Sequence, residues 1–297
     1  MLVKHLHALI GERHPLSAPA ALRQAEGYLL AQFQDLGLRI STHAFRALGG
    51  AYCNVIGTML PQKGGGGDSP PSAWGLSPFC DAPPPLIIAA HYDTVPGSPG
   101  ADDNASGLAV MLEVARSLRG TSLNREVRFI AFCLEEEDLL GSLAYAASLR
   151  ASDQELYGAI VLECVGYTCC GEESQRVPPG VPVAVPSVGD FLAIVGNTTS
   201  AGLVKAVETA ARQSVPALKT VSLVVPDNGE PLPDTRRSDH AAFWQYGYPA
   251  VMLTDTANFR NPHYHRPTDT LDTLDLHFMQ RVAQAVIAAV LHLSDSP

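Results

Sequence analysis

The sequence contains no apolar run as long as a membrane-spanning helix, which needs about 20 residues. Each apolar stretch meets a charged residue or a helix breaker before that length is reached. Residues 1–7 also lack an apolar core followed by a small-residue cleavage site, and their pattern is typical of the start of an amphipathic helix. We therefore expect no membrane contact and a cytoplasmic location.

Positive charge and paired cysteines are also scarce. The chain has 20 Lys and Arg against 30 Asp and Glu, and no basic cluster that would bind phosphate groups, so we expect no nucleic-acid partner. The six cysteines show no disulfide-scaffold spacing, and Cys133 and Cys164 lie in apolar runs, as buried thiols do. Free thiols fit a reducing compartment. A structural zinc site at Cys169 and Cys170 is an alternative, but no second pair follows at the required spacing.

Segments with strand and helix patterns alternate along most of the 297 residues. This order predicts a single α/β domain over residues 1–297, with a mostly parallel central sheet and helices on both faces. Residues 61–85 are rich in Gly, Pro and Ser, which predicts a mobile surface loop. Residues 171–187 contain four prolines and form a second irregular loop, placed to cover a site. The expected strands are 38–45, 53–60, 86–90, 127–133, 159–164, 191–195, 221–225 and 250–253, and the expected helices are 18–36, 105–118, 139–149, 201–212 and 274–293.

Residues able to bind a divalent metal occur in five separate segments. His91, Glu135 and Glu163 each lie at or just after the end of a predicted strand. Because the carboxyl ends of parallel strands meet at one edge of a sheet, we expect these side chains to lie close together. Imidazole and carboxylate groups suit Zn²⁺, and a bridging carboxylate can hold two such ions about 3.5–4 Å apart.

The segment with His91 and Asp93 and the segment with Glu163 each have a simpler interpretation that needs no metal. In an extended segment, residues i and i+2 project to the same side, so Asp93 can accept a hydrogen bond from the imidazole nitrogen of His91 that faces away from a metal. A histidine after a strand is otherwise often an ordinary polar residue. Glu163 lies inside an apolar run, where a carboxylate needs a partner. That partner is either a metal or an Arg or Lys side chain.

Each of the other three segments also allows two interpretations. Asp102 and Asp103 precede a predicted helix, and helix capping accounts for one of them but not for both. Four acids at residues 135–138 form either a solvated surface or a crowded group in which one pKa rises unless a cation compensates. Tyr264 either donates its hydroxyl hydrogen to a developing oxyanion or packs on the surface. For His263 we expect solvent exposure.

Taken together, these motifs closely resemble the co-catalytic zinc aminopeptidases, a family that includes bacterial leucyl-type aminopeptidases, the glutamate carboxypeptidase ectodomain and the glutaminyl cyclases. The resemblance spans nearly the whole chain and implies a zinc-exopeptidase-like fold, a phosphorylase/hydrolase-type sandwich, with two Zn²⁺ per chain. The motifs that carry it are His91-x-Asp93, Gly100-Ala101-Asp102-Asp103-Asn104-Ala105-Ser106-Gly107, Glu135-Glu136 with Leu139-Leu140-Gly141-Ser142, Ser238-Asp239-His240 and Asn261-Pro262-His263-Tyr264-His265.

Residue by residue, the resemblance implies that His91 and Glu163 bind one zinc, that Glu136 and His265 bind the other, and that Asp103 bridges them. It further implies roles for five other residues: Asp93 as the partner of His91, Glu135 as general base, Tyr264 as the group that polarises the carbonyl, and Arg237 and Asp239 as substrate-binding residues. Many family members have Asp at the position of Glu163, which puts the affinity of that zinc in question. The resemblance also predicts a cis peptide at Asp103-Asn104.

The implied activity is removal of N-terminal residues from peptides by a metal-bridging hydroxide, with Glu135 as base. One enzyme alternative is a glutaminyl-cyclase-like aminoacyltransferase that uses a single zinc. Others are a metallo-carboxypeptidase or a deacylase of the same fold. A binding module that has lost its metals is the non-enzyme alternative, but this chain retains every ligand and the base. No oligomeric state is predicted.

Overall fold

The computed structural model describes residues 1–61 and 83–294. The predicted mobile loop at 61–85 lies almost entirely outside the described residues. The five described cysteines are all free thiols.

An eight-stranded mixed sheet forms the centre of the fold, in the order β1-β2-β4-β3-β5-β8-β6-β7. Four strand pairs are parallel (β3 with β4, β3 with β5, β5 with β8, and β6 with β7), and the pairs β1–β2, β2–β4 and β6–β8 are antiparallel. The mostly parallel α/β sheet predicted from the sequence is therefore confirmed. Its strands are β1 (Arg39–Ala47), β2 (Gly50–Met59), β3 (Leu86–His91), β4 (Val127–Phe132), β5 (Gly158–Glu163), β6 (Phe191–Asn197), β7 (Lys219–Val225) and β8 (Ala250–Thr254).

Helices cover both faces of this sheet. A continuous apolar strand such as β3 is explained by this layering, because Leu86, Ile88 and Ala90 pack into one core while Ile87 and Ala89 pack into the other. The helices are α1 (Leu2–Leu9), α2 (Pro19–Asp35), α3 (Gly107–Leu118), α4 (Leu140–Ala151), α5 (Ala201–Ser214), α6 (His240–Gln245) and α7 (Leu276–Ser294). The short helix α6 was not predicted, because six residues carry too little periodic signal.

By length and composition, α7 is the one described helix that could cross a membrane. In the fold it packs against α3 and α5, and half of its most apolar window is buried. Its buried side chains, including Phe278, Val282 and Val286, belong to the larger core. The apolar character of α7 is thus accounted for by its place in the core.

The parallel strands β3, β4, β5 and β8 end at the same edge of the sheet. His91 is the last residue of β3 and Glu163 the last residue of β5. The helix predicted from residue 105 starts instead at Gly107, because the chain turns sharply over residues 101–106, where the backbone of Asp103 and Asn104 is not helical. This turn carries Asp103 to the same edge.

Candidate metal centre

Five predicted ligands meet at this edge, around Asp103. One carboxylate oxygen of Asp103, Oδ1, lies 3.1 Å from Nε2 of His91, and the other, Oδ2, lies 3.0 Å from Nε2 of His265. Glu163 Oε2 lies 3.4 Å from His91 Nε2, and Glu136 Oε2 lies 3.2 Å from His265 Nε2. The structure therefore places the other four predicted ligands in two pairs, His91 with Glu163 and His265 with Glu136, one on each side of Asp103.

The environment of His91 fits a metal ligand better than an ordinary buried histidine. Its side chain is fully buried, and neither ring nitrogen has a hydrogen-bond partner among the described residues. The carboxylates of Asp103, Glu163 and Glu135 nevertheless lie within 3.9 Å of Nε2. A buried, unpartnered nitrogen surrounded by carboxylate oxygens fits the position of a bound divalent cation.

Charge crowding points to the same requirement. Burial raises the pKa of Glu135 well above its usual value, and the charges of Glu163 and Glu136 raise it further. Burial, together with the charge of Asp103, raises the pKa of Glu136 to about 7. Burial opposes protonation of His91, but the surrounding carboxylates outweigh it and raise the pKa of this imidazole. A divalent cation would favour the ionised carboxylates and the neutral imidazole.

Asp93 connects the first histidine to the pair of glutamates. Its Oδ1 lies 3.6 Å from Nδ1 of His91, which is longer than a hydrogen bond. The same carboxylate accepts hydrogen bonds from the backbone N–H groups of Glu135 and Glu136, both at 3.1 Å. Asp93 is thus placed to orient His91, and it fixes the start of the loop after β4.

The turn that carries Asp103 is held by polar contacts and by close packing. Asp269 accepts hydrogen bonds from the backbone N–H groups of Asp102 and Asp103, at 2.9 Å and 3.2 Å. The Asp103-Asn104 peptide is cis, as predicted. A Cβ on Gly107 would lie only 2.4 Å from Asn104 Oδ1, so this close approach requires glycine.

Glu163 has two partners that the sequence did not identify. Ser238 donates its hydroxyl hydrogen to Oε2 of Glu163 at 2.7 Å, and the Cys164 thiol approaches Oε1 at 3.4 Å. No Arg or Lys forms an ion pair with Glu163 among the described side chains, so the salt-bridge alternative is not what the structure contains. Residues 163 and 238 are 75 positions apart, and no local pattern connects them.

Tyr264 and Arg237 lie beside the second histidine. The Tyr264 ring stacks on the ring of His265 with centroids 3.8 Å apart, and its hydroxyl oxygen accepts a hydrogen bond from Arg237 at 3.1 Å. Arg237 also donates to Asn258 Oδ1 at 2.8 Å. Burial raises the pKa of the Tyr264 phenol, and nearby carboxylates raise it further, so the group keeps its proton. Tyr264 and Arg237 can therefore both act as hydrogen-bond donors.

Asp239 occupies a different place from the one expected of a substrate-binding residue. It has no exposed surface, and burial raises its pKa to about 7. A fully buried carboxylate presents no surface to a substrate, so a direct substrate contact has no support in this position. Its neighbour Ser238 is the residue of this motif that reaches a predicted ligand.

Asp102 is also buried, but it serves the scaffold. Its carboxylate accepts hydrogen bonds from the backbone of Gly166 at 2.8 Å and from the side chain of Asn261 at 2.7 Å. It therefore ties the loop after β5 to the segment that carries Tyr264 and His265. Helix capping, the simpler interpretation of Asp102, does not describe these contacts.

An apolar cavity of about 110 Å³ opens beside Glu163 and Tyr264. Val181, Val183 and Val185 of the irregular 171–187 loop form one wall, and residues of the sheet form the other. The loop therefore lies over a pocket that adjoins the ligands. The sheet residues lining it are Phe191, Ala193, Val195, Val221, Leu223 and Met252.

Residues 80–290 match the profile of peptidase family M28. The chain belongs to this family. It is 33% identical over 302 residues to the uncharacterised protein YfbL of Escherichia coli K12, an alignment that covers 96% of this chain and 85% of YfbL. It is also 33% identical over 217 residues to the aminopeptidase YwaD of Bacillus subtilis, covering 69% of this chain and 40% of YwaD. The M28 chain thus spans most of YfbL but well under half of YwaD.

Solved structures with the same fold come from several bacteria. BSAP, a zinc aminopeptidase from Bacillus subtilis, matches 84% of this chain and 52% of its own at 26% identity and a TM-score of 0.60. The LapA aminopeptidase of Legionella pneumophila matches 99% of this chain and 71% of its own, at 18% identity and a TM-score of 0.73. The glutaminyl cyclase of Porphyromonas gingivalis matches 97% of this chain and 94% of its own, at 18% identity and a TM-score of 0.66. Family membership and the ligand set support a metallo-exopeptidase, and the last two likenesses show the fold alone.

Proposed function

We propose that this M28 protein is a two-zinc aminopeptidase that removes N-terminal residues with apolar side chains from peptides. The observation that carries the proposal is the position of Asp103 between His91 and His265, with one carboxylate oxygen directed to each histidine. One ion would bind to His91, Asp103 and Glu163, and the other to His265, Asp103 and Glu136. When bound, the ions would supply Lewis acidity to the attacking water and to the scissile carbonyl.

The protein's own residues supply the proton transfers and the orientation. Glu135 is buried beside the ligands, with Oε2 3.9 Å from Nε2 of His91, where an ionised carboxylate would take a proton from water and return it to the leaving amine. Tyr264 keeps its phenolic proton and would donate a hydrogen bond to the carbonyl oxygen as negative charge develops there. Arg237 holds the Tyr264 hydroxyl in place.

The apolar cavity supports the choice of substrate. Because Glu163 and Tyr264 both line it, a side chain held there belongs to the residue next to the scissile bond. Most of its exposed wall is apolar, formed by valine, leucine, phenylalanine and methionine side chains, with Arg176, Asp234 and Arg237 also in the lining; this surface favours an aliphatic or aromatic residue over a charged one. YwaD and BSAP are both named as aminopeptidases, which is consistent with this activity. The free described cysteines suit a cytoplasmic location, which is part of the proposal.

A panel of amino-acyl p-nitroanilides tests the activity. With zinc supplied, we expect leucyl, methionyl and phenylalanyl substrates to be cleaved faster than glutamyl or lysyl ones. Glu135→Gln should lower kcat by roughly 10²–10⁴-fold, because it removes the general base, while the zinc content stays at two ions per chain. Glu137→Gln, which changes the next acid but one, is the matched control.

Three outcomes would contradict the proposal. Cleavage of N-acylated substrates alone would indicate a deacylase or a carboxypeptidase. One zinc per chain, together with cyclisation of glutaminyl peptides, would indicate a glutaminyl cyclase. Full activity of Glu135→Gln would show that another group is the base.

A further inference from the structure

The segment that joins α1 to α2 runs behind the loops that carry His91 and Asp103. Gly11 donates its backbone N–H to the Pro99 carbonyl at 2.8 Å, and Arg13 donates its backbone N–H to the Thr94 hydroxyl at 2.9 Å. This segment precedes the range 80–290 that matches family M28. It is nevertheless packed directly against the candidate metal centre.

Arg13 is the residue of this segment whose side chain bonds to both of these loops. Arg13 is only 2% exposed, and its guanidinium donates hydrogen bonds to the Tyr92 carbonyl at 2.8 Å and to the Gly100 carbonyl at 3.2 Å. Tyr92 lies between His91 and Asp93, and Gly100 begins the turn that carries Asp103. One side chain therefore joins the two loops. Its remaining acceptors are the carbonyls of Leu9, Gly11 and Pro99.

The atoms that accept hydrogen bonds from Arg13 show whether this side chain positions the backbone or neutralises nearby carboxylates. Every hydrogen bond of the guanidinium given above goes to a backbone carbonyl, although Asp93 and Asp103 are near enough to raise its pKa against burial, which lowers it to about 10. Arg13 is therefore charged at neutral pH. A planar guanidinium can bond several carbonyls in fixed directions at once, whereas an ammonium group acts as a point charge.

The packing at Gly100 leaves little freedom in this arrangement. Gly100 has a φ of +61°, which favours glycine, and a Cβ there would lie 2.4 Å from the Asp103 carbonyl oxygen and 2.9 Å from Nη2 of Arg13. The backbone of the ligand turn and the guanidinium are therefore in close contact. A shift of the guanidinium would be transmitted to Asp103.

We propose that Arg13 is a positioning residue that sets the distance between His91 and Asp103 for metal binding. It does so by holding the carbonyls of Tyr92 and Gly100 in one hydrogen-bond array, and it does not touch the metal or the substrate. The inference rests on the proposed function only in taking these residues as zinc ligands.

The test is the zinc affinity of Arg13→Met and Arg13→Lys, measured by competition with a chromophoric chelator. Because residues that orient metal ligands typically affect affinity by 10- to 100-fold, we expect a loss of roughly that size in both variants. We also expect zinc to raise Tm less than it does in the wild type. A purely structural role would lower Tm equally with and without zinc.

Arg125→Met is the matched control. Arg125 is 1% exposed and its guanidinium lies 3.9 Å from the Tyr157 ring, but it precedes β4 at the opposite edge of the sheet. A six-residue strand separates that edge from the ligands by about 20 Å. This variant should lose stability while keeping the wild-type zinc affinity.

Wild-type zinc affinity in both Arg13 variants would overturn the inference. A loss in Arg13→Met with none in Arg13→Lys would also overturn it, because the charge alone would then be sufficient. If Arg13→Met does not fold, Arg13→Lys alone decides: it should bind zinc more weakly than the wild type. Failure of the wild type itself to bind zinc would refute the proposed function, and this inference with it.

Discussion

The two histidines of the candidate centre differ sharply in their surroundings. His91 ends the central strand β3 and its side chain is fully buried, whereas the side chain of His265 is 34% exposed. The partner of His91, Glu163, ends the adjacent strand β5 and is held by Ser238. His265 follows Tyr264 in an irregular segment and has a φ of +59°. One half of the centre is thus built on the sheet and the other on a loop.

This difference predicts unequal metal binding. Ligands fixed by a sheet and buried from water lose little freedom when they bind an ion, whereas a loop ligand must be ordered first. We therefore expect the ion at His91 to bind more tightly than the ion at His265. The two halves share Asp103, so the loss of either histidine also leaves a carboxylate with one partner fewer.

Replacing each histidine gives the largest expected effect. A structural zinc site with four ligands is worth about 10–16 kcal/mol, so one ligand contributes roughly 3 kcal/mol, or about a hundredfold in affinity. His91→Ala should exceed this, because it also leaves the buried carboxylates of Asp103 and Glu163 each with one partner fewer. Zinc content after dialysis should be close to one ion for His265→Ala, and His91→Ala should lose the tightly bound ion.

The control for these variants is His5→Ala. His5 is also buried, but it lies in α1 and bonds to Tyr28 and to none of the predicted ligands. Its replacement should leave both zinc ions in place. The comparison of the two halves would be wrong if His265→Ala lost the tightly bound ion and His91→Ala kept it.

Ser238→Ala should have a smaller effect, confined to one half. It removes the hydrogen bond to Glu163 but leaves the ligand itself, so we expect roughly a 10- to 100-fold loss in affinity for the tightly bound zinc and little change for the other ion. Stepwise zinc titration by calorimetry separates the two. Ser148→Ala, which removes a hydroxyl from an exposed turn of α4, serves as the control. Equal weakening of both ions would contradict a local role for Ser238.

The same contrast explains what the sequence could predict. His91 was identified because it follows an apolar run and Glu163 because it lies inside one, and a continuous apolar run marks a buried parallel strand. The sheet and its main helices follow from such periodic patterns. Ser238, Asp269 and Arg13 carry no comparable signal, because their contacts join residues far apart in the chain and arise only from the folded arrangement.

For Asp239, in contrast, a role was expected that its position in the structure does not support. The resemblance implied that Asp239, like Arg237, is a substrate-binding residue. Helix α6 begins at the next residue and turns Asp239 into the interior, while Arg237 remains partly exposed beside Tyr264. Two residues separated by one position in the chain thus face different environments, and only the backbone conformation distinguishes them.

The smallest expected effect is the pH dependence of the loop half. Burial tends to lower the pKa of His265, but its hydrogen bonds to Asp103 and Glu136 outweigh this and raise the pKa to about 10. Zinc binds the neutral imidazole, so a proton must be displaced at any pH below that value. The affinity for the second ion should therefore rise with pH between 7 and 9, by about tenfold per pH unit for the proton of His265, and more steeply near pH 7, where Glu136 also loses a proton.

The stability of the zinc-free protein should change with pH in the opposite direction to the zinc affinity. In zinc-free protein, the raised pKa of His265 stabilises the fold fully below pH 6.5, the unfolded-state value, and this contribution is lost as the pH rises towards 10. Tm should therefore fall from pH 7 to pH 9 without zinc, and the increase in Tm caused by zinc should grow over the same range. His265→Ala should flatten both trends. If the increase caused by zinc did not depend on pH, His265 would not be exchanging a proton for the metal, and the loop half would not be a metal site of the kind inferred here.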